Sequence, residues 1–258
     1  MKVYLPITEE KNITKTLAPM DTITYFLIGA LLLLPWAVIY FFKPALRKKM
    51  LKTSIMGGLA GFIAEYWYFK DYWHPPTLLG QSVVSFEDFL FGFTITGLSA
   101  SIYQVFFPAT TERTEKNRKR TFGIMFLGGV VAMMVLNVLL KYNSIVVSCI
   151  CFVCFTLLMM YIRPDLMGQA LFSGLLMLLV ILPVYLLLFD LLNTGYWDKY
   201  WLLARTPLGL RVLGHIPLTE LSWYFTWGCF AGTAHSFASG NAKVRQTATN
   251  EIPNAIKM

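Results

Sequence analysis

The chain has 258 residues, of which 56% are hydrophobic and 14% charged, with a formal net charge of +8. Charged usage so far below the ~25% of soluble domains excludes an ordinary water-soluble globule. The positive balance does not point to nucleic acid either. Ten of the basic residues crowd into two short segments between apolar blocks: Lys43, Arg47, Lys48, Lys49 and Lys52, then Arg113, Lys116, Arg118, Lys119 and Arg120.

Crossing the ~30 Å hydrocarbon core as a helix takes ~20 apolar residues, and helices satisfy every backbone polar group without water. In chain order, an N-terminal segment at 1–21 precedes spans predicted over about 22–42, 53–69, 87–111, 121–140, 142–162, 166–190 and 220–242; a tail at 243–258 follows. The second block is interrupted only by Glu65. Its Gly57, Gly58 and Gly61 give the small-residue spacing that lets helix backbones approach closely in lipid. The first block is too long for a signal peptide and runs into Lys43 and Arg47 rather than a small-residue cleavage site, which makes it a span. The expected fold class is all-α: an integral, multi-pass cell-membrane protein of about seven transmembrane helices.

With seven spans, the loops on one side and the tail hold fourteen Lys and Arg, against eight on the other. The excess of basic residues in cytoplasmic loops then predicts an external N-terminus and a cytoplasmic C-terminus. Seven of the fourteen acids fall at the opposite ends of the second, third, sixth and seventh spans or in the loops joining them: Glu65, Asp71, Glu87, Asp88, Asp190, Asp198 and Glu220. Ionisable groups near membrane depth face a bundle interior or cavity by default, so this layer is a site hypothesis. Acids at helix N-termini also stabilise the helix dipole, and Ser85 with Asp88 reads as a capping box. Adjacent Glu87 and Asp88 lie ~100° apart on a helix, so one caps while the other faces the cavity.

A rising helix, an aromatic loop and a returning helix that opens with acids occur twice. The first copy runs through Glu65-Tyr66-Trp67-Tyr68, Asp71-Tyr72-Trp73-His74-Pro75-Pro76 and Ser85-Phe86-Glu87-Asp88-Phe89; the second runs through Asp190, Gly195-Tyr196-Trp197-Asp198 and Ile216-Pro217-Leu218-Thr219-Glu220. Three spans separate the returning helices, so both copies cross in the same sense: a degenerate parallel internal repeat, in which sites lie between the halves. The tryptophans also suit an interfacial belt.

At these residues the chain resembles the membrane-integral lycopene cyclase domain family, which comprises the heterodimeric carotenoid cyclases of bacteria and archaea and the cyclase half of fungal bifunctional enzymes. The first motif reads Ser85-Phe86-Glu87-Asp88-Phe89-Leu90-Phe91-Gly92-Phe93, the second Leu208 to Glu220. Two departures stand out: Ser85 replaces the family's proline, and Thr219 replaces the first acid of the second motif. The resemblance implies a redox-neutral cyclisation of an acyclic carotenoid end group without a cofactor, the work of an isomerase (intramolecular lyase). One carboxyl protonates the terminal double bond, the cation closes a ring, and a carboxylate takes a proton. By the same resemblance, Glu87 and Glu220 are the expected acid and base, with Asp88, Glu65 and Asp190 as further candidate carboxyls. Tyr72, Trp73, Phe91, Trp197, Trp223 and Tyr224 would face the substrate and its cation. Because of Thr219, reaction at one end group, hydration of the cation, or binding of a polyene alone remain open.

The partners so implied are a carotenoid or other polyene lipid and the membrane lipids, with a homo- or hetero-oligomer possible and no nucleic acid. The non-enzyme alternative is a carotenoid- or lipid-binding or transport protein that keeps the fold. His74 and His215 flank the acids but form no close ligand pair, so no metal is expected. Cys149, Cys151 and Cys154 lie mid-span and read as apolar packing. The last span holds no lysine for a retinal Schiff base.

Overall fold

The computed structural model describes residues 19–80, 82–108, 111–113 and 116–243. The expected N-terminal segment up to residue 18 and the tail after 243 lie outside these described residues. The helices are α1 (Pro19–Phe42), α2 (Arg47–Asp71), α3 (Phe86–Phe106), α4 (Lys119–Met134), α5 (Ser144–Ile162), α6 (Met167–Tyr185), the short α7 (Tyr196–Tyr200) and α8 (Leu218–Ser239). Wider π-helical turns extend α4 over Val135–Leu139 and α6 over Leu186–Leu192. Short strands pair antiparallel: β1 (Thr111–Arg113) with β4 (Asn241–Lys243), and β2 (Arg211–Val212) with β3 (Ile216–Pro217).

Among the described residues, five stretches are long and apolar enough to cross a membrane: Met20–Phe42, Phe86–Phe106, Lys119–Leu139, Ser144–Ile162 and Pro164–Leu192. The other two expected spans, in α2 and α8, are more polar. Helix α2 carries Arg47, Lys48, Lys49 and Lys52 in its first turns, with Glu65, Lys70 and Asp71 further on. Helix α8 packs against α3, α5 and α6, and buries Glu220, Thr226, Thr233 and Ser236. A helix covered by its neighbours has little lipid-facing surface to keep apolar, which accounts for its modest hydropathy. The third expected span also stops early: α3 ends at Phe106, ahead of Pro108, whose ring disfavours helix in the residue before it.

The turn from α1 into α2 and the turn from α5 into α6 are built alike. Lys43 precedes Pro44-Ala45-Leu46 and Arg163 precedes Pro164-Asp165-Leu166, each triplet forming one 3₁₀ turn. Lys43 has φ −123° and ψ 74°, and Arg163 has φ −135° and ψ 76°. Proline explains both halves of the motif, since it forces its predecessor out of the helical region and then starts the next helix with φ already set.

Close approach holds each of the following helix pairs. A Cβ on Gly57 would strike the Gly92 carbonyl and Thr96 of α3, and one on Gly61 would strike the Asp88 carbonyl. In α6 and α8, a Cβ on Gly228 would lie 2.9 Å from the Gly174 Cα. The α2–α3 contact leaves no room for a side chain, so Gly57→Val is expected to cost about 1–3 kcal/mol by overpacking, read as a lower melting temperature of the detergent-solubilised protein.

The helices run between two chemically distinct ends. At one, Lys49 donates to the Ala100 carbonyl at 2.5 Å and Arg163 donates to Asp165. At the other, the two aromatic loops pair through an antiparallel bridge between Trp73 and Trp201. His74 N–H donates to the Tyr200 carbonyl and Leu202 N–H to that of Tyr72, both at 2.9 Å. This pairing closes the second end over the helix bundle.

Candidate functional site

Beneath the paired loops lies a cavity of about 340 Å³ whose lining is almost entirely apolar and aromatic. Three carboxyls from three helices face it: Glu65 on α2, Asp88 on α3 and Glu220 on α8. All are buried, with 5%, 2% and 8% exposure. Burial of that depth demands hydrogen-bond partners, and tyrosines supply most of them.

Asp88 accepts from the Tyr25 hydroxyl at 2.6 Å and from the backbone N–H of Ser85 at 2.5 Å. The roles expected to be divided between Glu87 and Asp88 therefore both fall to Asp88, which holds the start of α3 while lining the cavity. Glu220 accepts from the Tyr72 hydroxyl and the Tyr185 hydroxyl, each at 2.5 Å. The Tyr185 and Tyr224 hydroxyls lie 2.8 Å apart, and Thr219 Oγ1 stands 3.2 Å from the Tyr72 hydroxyl. Burial, and after it the Glu220 carboxylate alongside, push the Tyr72 hydroxyl well above the usual phenol range and keep it a donor.

Glu65 is different. It shares the cavity wall with Trp73, and both Asp88 and Glu220 are near enough to act on it electrostatically. Its Oε1 atom is buried with no hydrogen-bond partner. A buried carboxyl oxygen that no donor satisfies, on a residue lining a cavity, is the unspent hydrogen-bonding capacity of this site.

Two of the expected carboxyls stand elsewhere. Glu87 is buried but turned away from the cavity, and its Oε1 accepts the Leu78 backbone N–H at 2.7 Å. Asp190 accepts from the His215 backbone N–H at 3.1 Å and faces His215 Nδ1 at 2.8 Å, where it holds the turn between β2 and β3. That turn carries Leu213 at φ 48° and Gly214 at φ 89°; a side chain on Gly214 would also run into the Asp190 carboxylate. The remaining acids of the layer are structural. Asp71 takes Asn137 Nδ2 at 2.7 Å and the Ser144 N–H at the start of α5, and the hydrogen bond from Arg211 lowers the Asp198 carboxyl below its ordinary value.

Of the expected aromatics, Tyr72, Trp73, Phe91 and Trp223 line the cavity. Trp197 is fully buried behind it, stacked on Trp73 at 5.8 Å, and Tyr224 also stands behind the lining, against Tyr185, Phe91 and Trp223. Tyr25, Tyr68, Tyr185, Phe152 and Trp227 also line it, none of them singled out from sequence. A tyrosine inside an apolar helix carries no spacing signal; Tyr25 and Asp88 are 63 positions apart. Tyr185, however, stands at the same remove from Pro164 as Glu65 does from Pro44, a correspondence readable in the chain. His74 faces the Phe69 carbonyl and ring, and among the described residues no group of three or more His, Cys, Asp or Glu is placed to hold a metal ion.

The fold and this site define a polytopic α-helical integral membrane protein with a buried, acid-lined aromatic cavity. Residues 143–238, from the start of α5 almost to the end of α8, match the family model described as lycopene cyclase. Over that stretch the chain is similar to lycopene cyclases. The match includes Tyr185 and Glu220 but not Glu65 or Asp88. No curated protein and no solved structure matches the chain.

Proposed function

We propose that this protein is a lycopene cyclase-like enzyme that closes a ring at the end of an acyclic carotenoid, with Glu65 as proton donor and Glu220 as proton acceptor. The observation that carries this reading is the convergence of three buried carboxyls on one aromatic cavity. Glu65, with an oxygen that no donor satisfies, suits the group that brings its own proton. Glu220 and Asp88, each held by donors alone, suit carboxylates.

The reaction balances without an oxidant or reductant. The Glu65 carboxyl gives its proton to the terminal double bond, leaving a tertiary carbocation. The neighbouring double bond attacks that cation and moves the charge onto the ring. Glu220 then takes a proton from a ring carbon, so the product is an isomer of the substrate, and the proton returns from Glu220 to Glu65 between turnovers. The faces of Trp73, Phe91 and Trp223 offer cation–π stabilisation to the intermediate.

The same proposal covers architecture. Seven helices, α1 to α6 and α8, cross the bilayer, with the basic end in the cytoplasm and the carboxyl end outside. The chain divides into two three-helix units, α1–α3 and α5, α6 and α8, with α4 between them. The matched Pro44 and Pro164 turns and the glycine contacts of each pair support this division.

Expression in cells that accumulate lycopene is expected to convert acyclic pigment into ring-containing product, resolved by chromatography and absorbance. Unchanged lycopene, with the protein verified in the membrane, would leave the binding or transport reading in its place.

A further inference from the structure

The cavity does not stop at the carboxyls. It runs from them towards the middle of the helices, where its wall is formed by Ala60 and Ile63 of α2 and by Phe126, Gly129 and Met133 of α4. Ala60 is exposed, Ile63 is 62% exposed and Phe126 is 47% exposed. Residues that line a cavity and also face outward mark its mouth. This mouth sits midway along α2 and α4, far from either loop layer.

Helix α4 is also the least enclosed of the long helices. It packs on α5 and α8, and no residue within Lys119–Met134 is fully buried. A Cβ on Gly123 or Gly128 would meet nothing within 4 Å. On the other side of the mouth, Ala60 and Ala64 keep the α2 wall low.

From this geometry we propose that the gap between α2 and α4 is a lateral mouth through which one end of a long polyene enters from the hydrocarbon core, while the rest of the molecule stays in the bilayer. The inference deepens the cyclase-like reading and rests on it for the polyene. Two further features fit it. A volume of about 340 Å³ is near the lower limit of small-molecule pockets, room for an end group rather than a whole carotenoid. The loop end, by contrast, is closed by the Trp73–Trp201 pairing, so a strongly apolar ligand has no reason to cross water to reach the site.

The test compares Ala60→Trp and Ile63→Trp, at the mouth, with Leu59→Trp, which is 56% exposed on the same helix but does not line the cavity. Two readouts are taken in lycopene-accumulating cells at matched membrane protein levels: the ratio of cyclic to acyclic pigment, and the lycopene that co-purifies per protein in mild detergent. Ala60→Trp and Ile63→Trp are each expected to lower both by about tenfold, with Leu59→Trp equal to wild type. Wild-type values in all three variants would overturn the mouth, as would wild-type protein that neither retains nor converts lycopene. Retention by the wild type without conversion, lost in the mouth variants, would uphold the mouth and reject the cyclase reading alone.

Discussion

Glu65→Gln is expected to lower ring formation by about 10²- to 10⁴-fold, the usual contribution of a positioned general acid. Glutamine keeps the size of the native side chain but has no acidic proton to give. A structural role for Glu65 predicts the reverse pattern. Its Oε1 has no partner in the native protein, so an amide there breaks no hydrogen bond, and a purely structural residue would tolerate the change. The measurement is product per protein in lycopene-accumulating cells, with the melting temperature of the purified variant as the second readout. Loss of product with an unchanged melting temperature assigns Glu65 to the chemistry. Retained product would remove it, and Asp88 would be the next candidate because it faces the same cavity.

The membrane-bundle architecture is legible in the sequence because a bilayer imposes a length, and blocks of ~20 apolar residues have few other uses. The exceptions are instructive. Helices α2 and α8 are the two that fall short in hydropathy, and they are also the helices that bring Glu65 and Glu220 to the cavity. A helix that serves a buried polar site is less apolar for that reason, and so announces itself less clearly. Among the acids, sequence pattern located the layer but not the rotation of each helix within it. Glu87 and Asp88 are neighbours in one motif, yet Asp88 faces the cavity and Glu87 faces Leu78. Only the packing of α3 on α2, set by Gly57, Gly61 and Gly92, decides which of them points inward. Asp190 could not have been assigned from spacing either, since its partner His215 belongs to a turn 25 positions away. Of the tyrosine donors, Tyr72 stands among the expected residues, whereas Tyr25 and Tyr185 sit on apolar helices, where a hydroxyl gains meaning only from the carboxylate that folds against it.

Glu220→Gln is expected to abolish most product as well, by about 10²- to 10⁴-fold, because an amide cannot take up the ring proton. The argument for Glu220 as acceptor lies in its two hydroxyl donors, Tyr72 and Tyr185, each at 2.5 Å. Hydrogen bonds to a charged group contribute about 1.5–3 kcal/mol, so Tyr185→Phe alone should cost roughly tenfold to a hundredfold if the bond holds a carboxylate in its working position. The double variant separates this from general damage to the bundle. Once Glu220 is glutamine there is no carboxylate left for Tyr185 to hold, so adding Tyr185→Phe should cost little more, and the two effects should be far from additive. Additive losses would mean that the Tyr185 hydroxyl acts independently of Glu220, through its other partner, the Tyr224 hydroxyl at 2.8 Å, since phenylalanine keeps the ring contacts. Thr219 belongs to the same test. Its hydroxyl lies 3.2 Å from that of Tyr72, so the position where the resembling family has its first acid is here tied to the Glu220 network by a neutral group. Thr219→Glu would place a second carboxyl beside Glu220 and Tyr72. If Glu220 is the working base, that variant should compete for the Tyr72 donor and lower product formation rather than raise it.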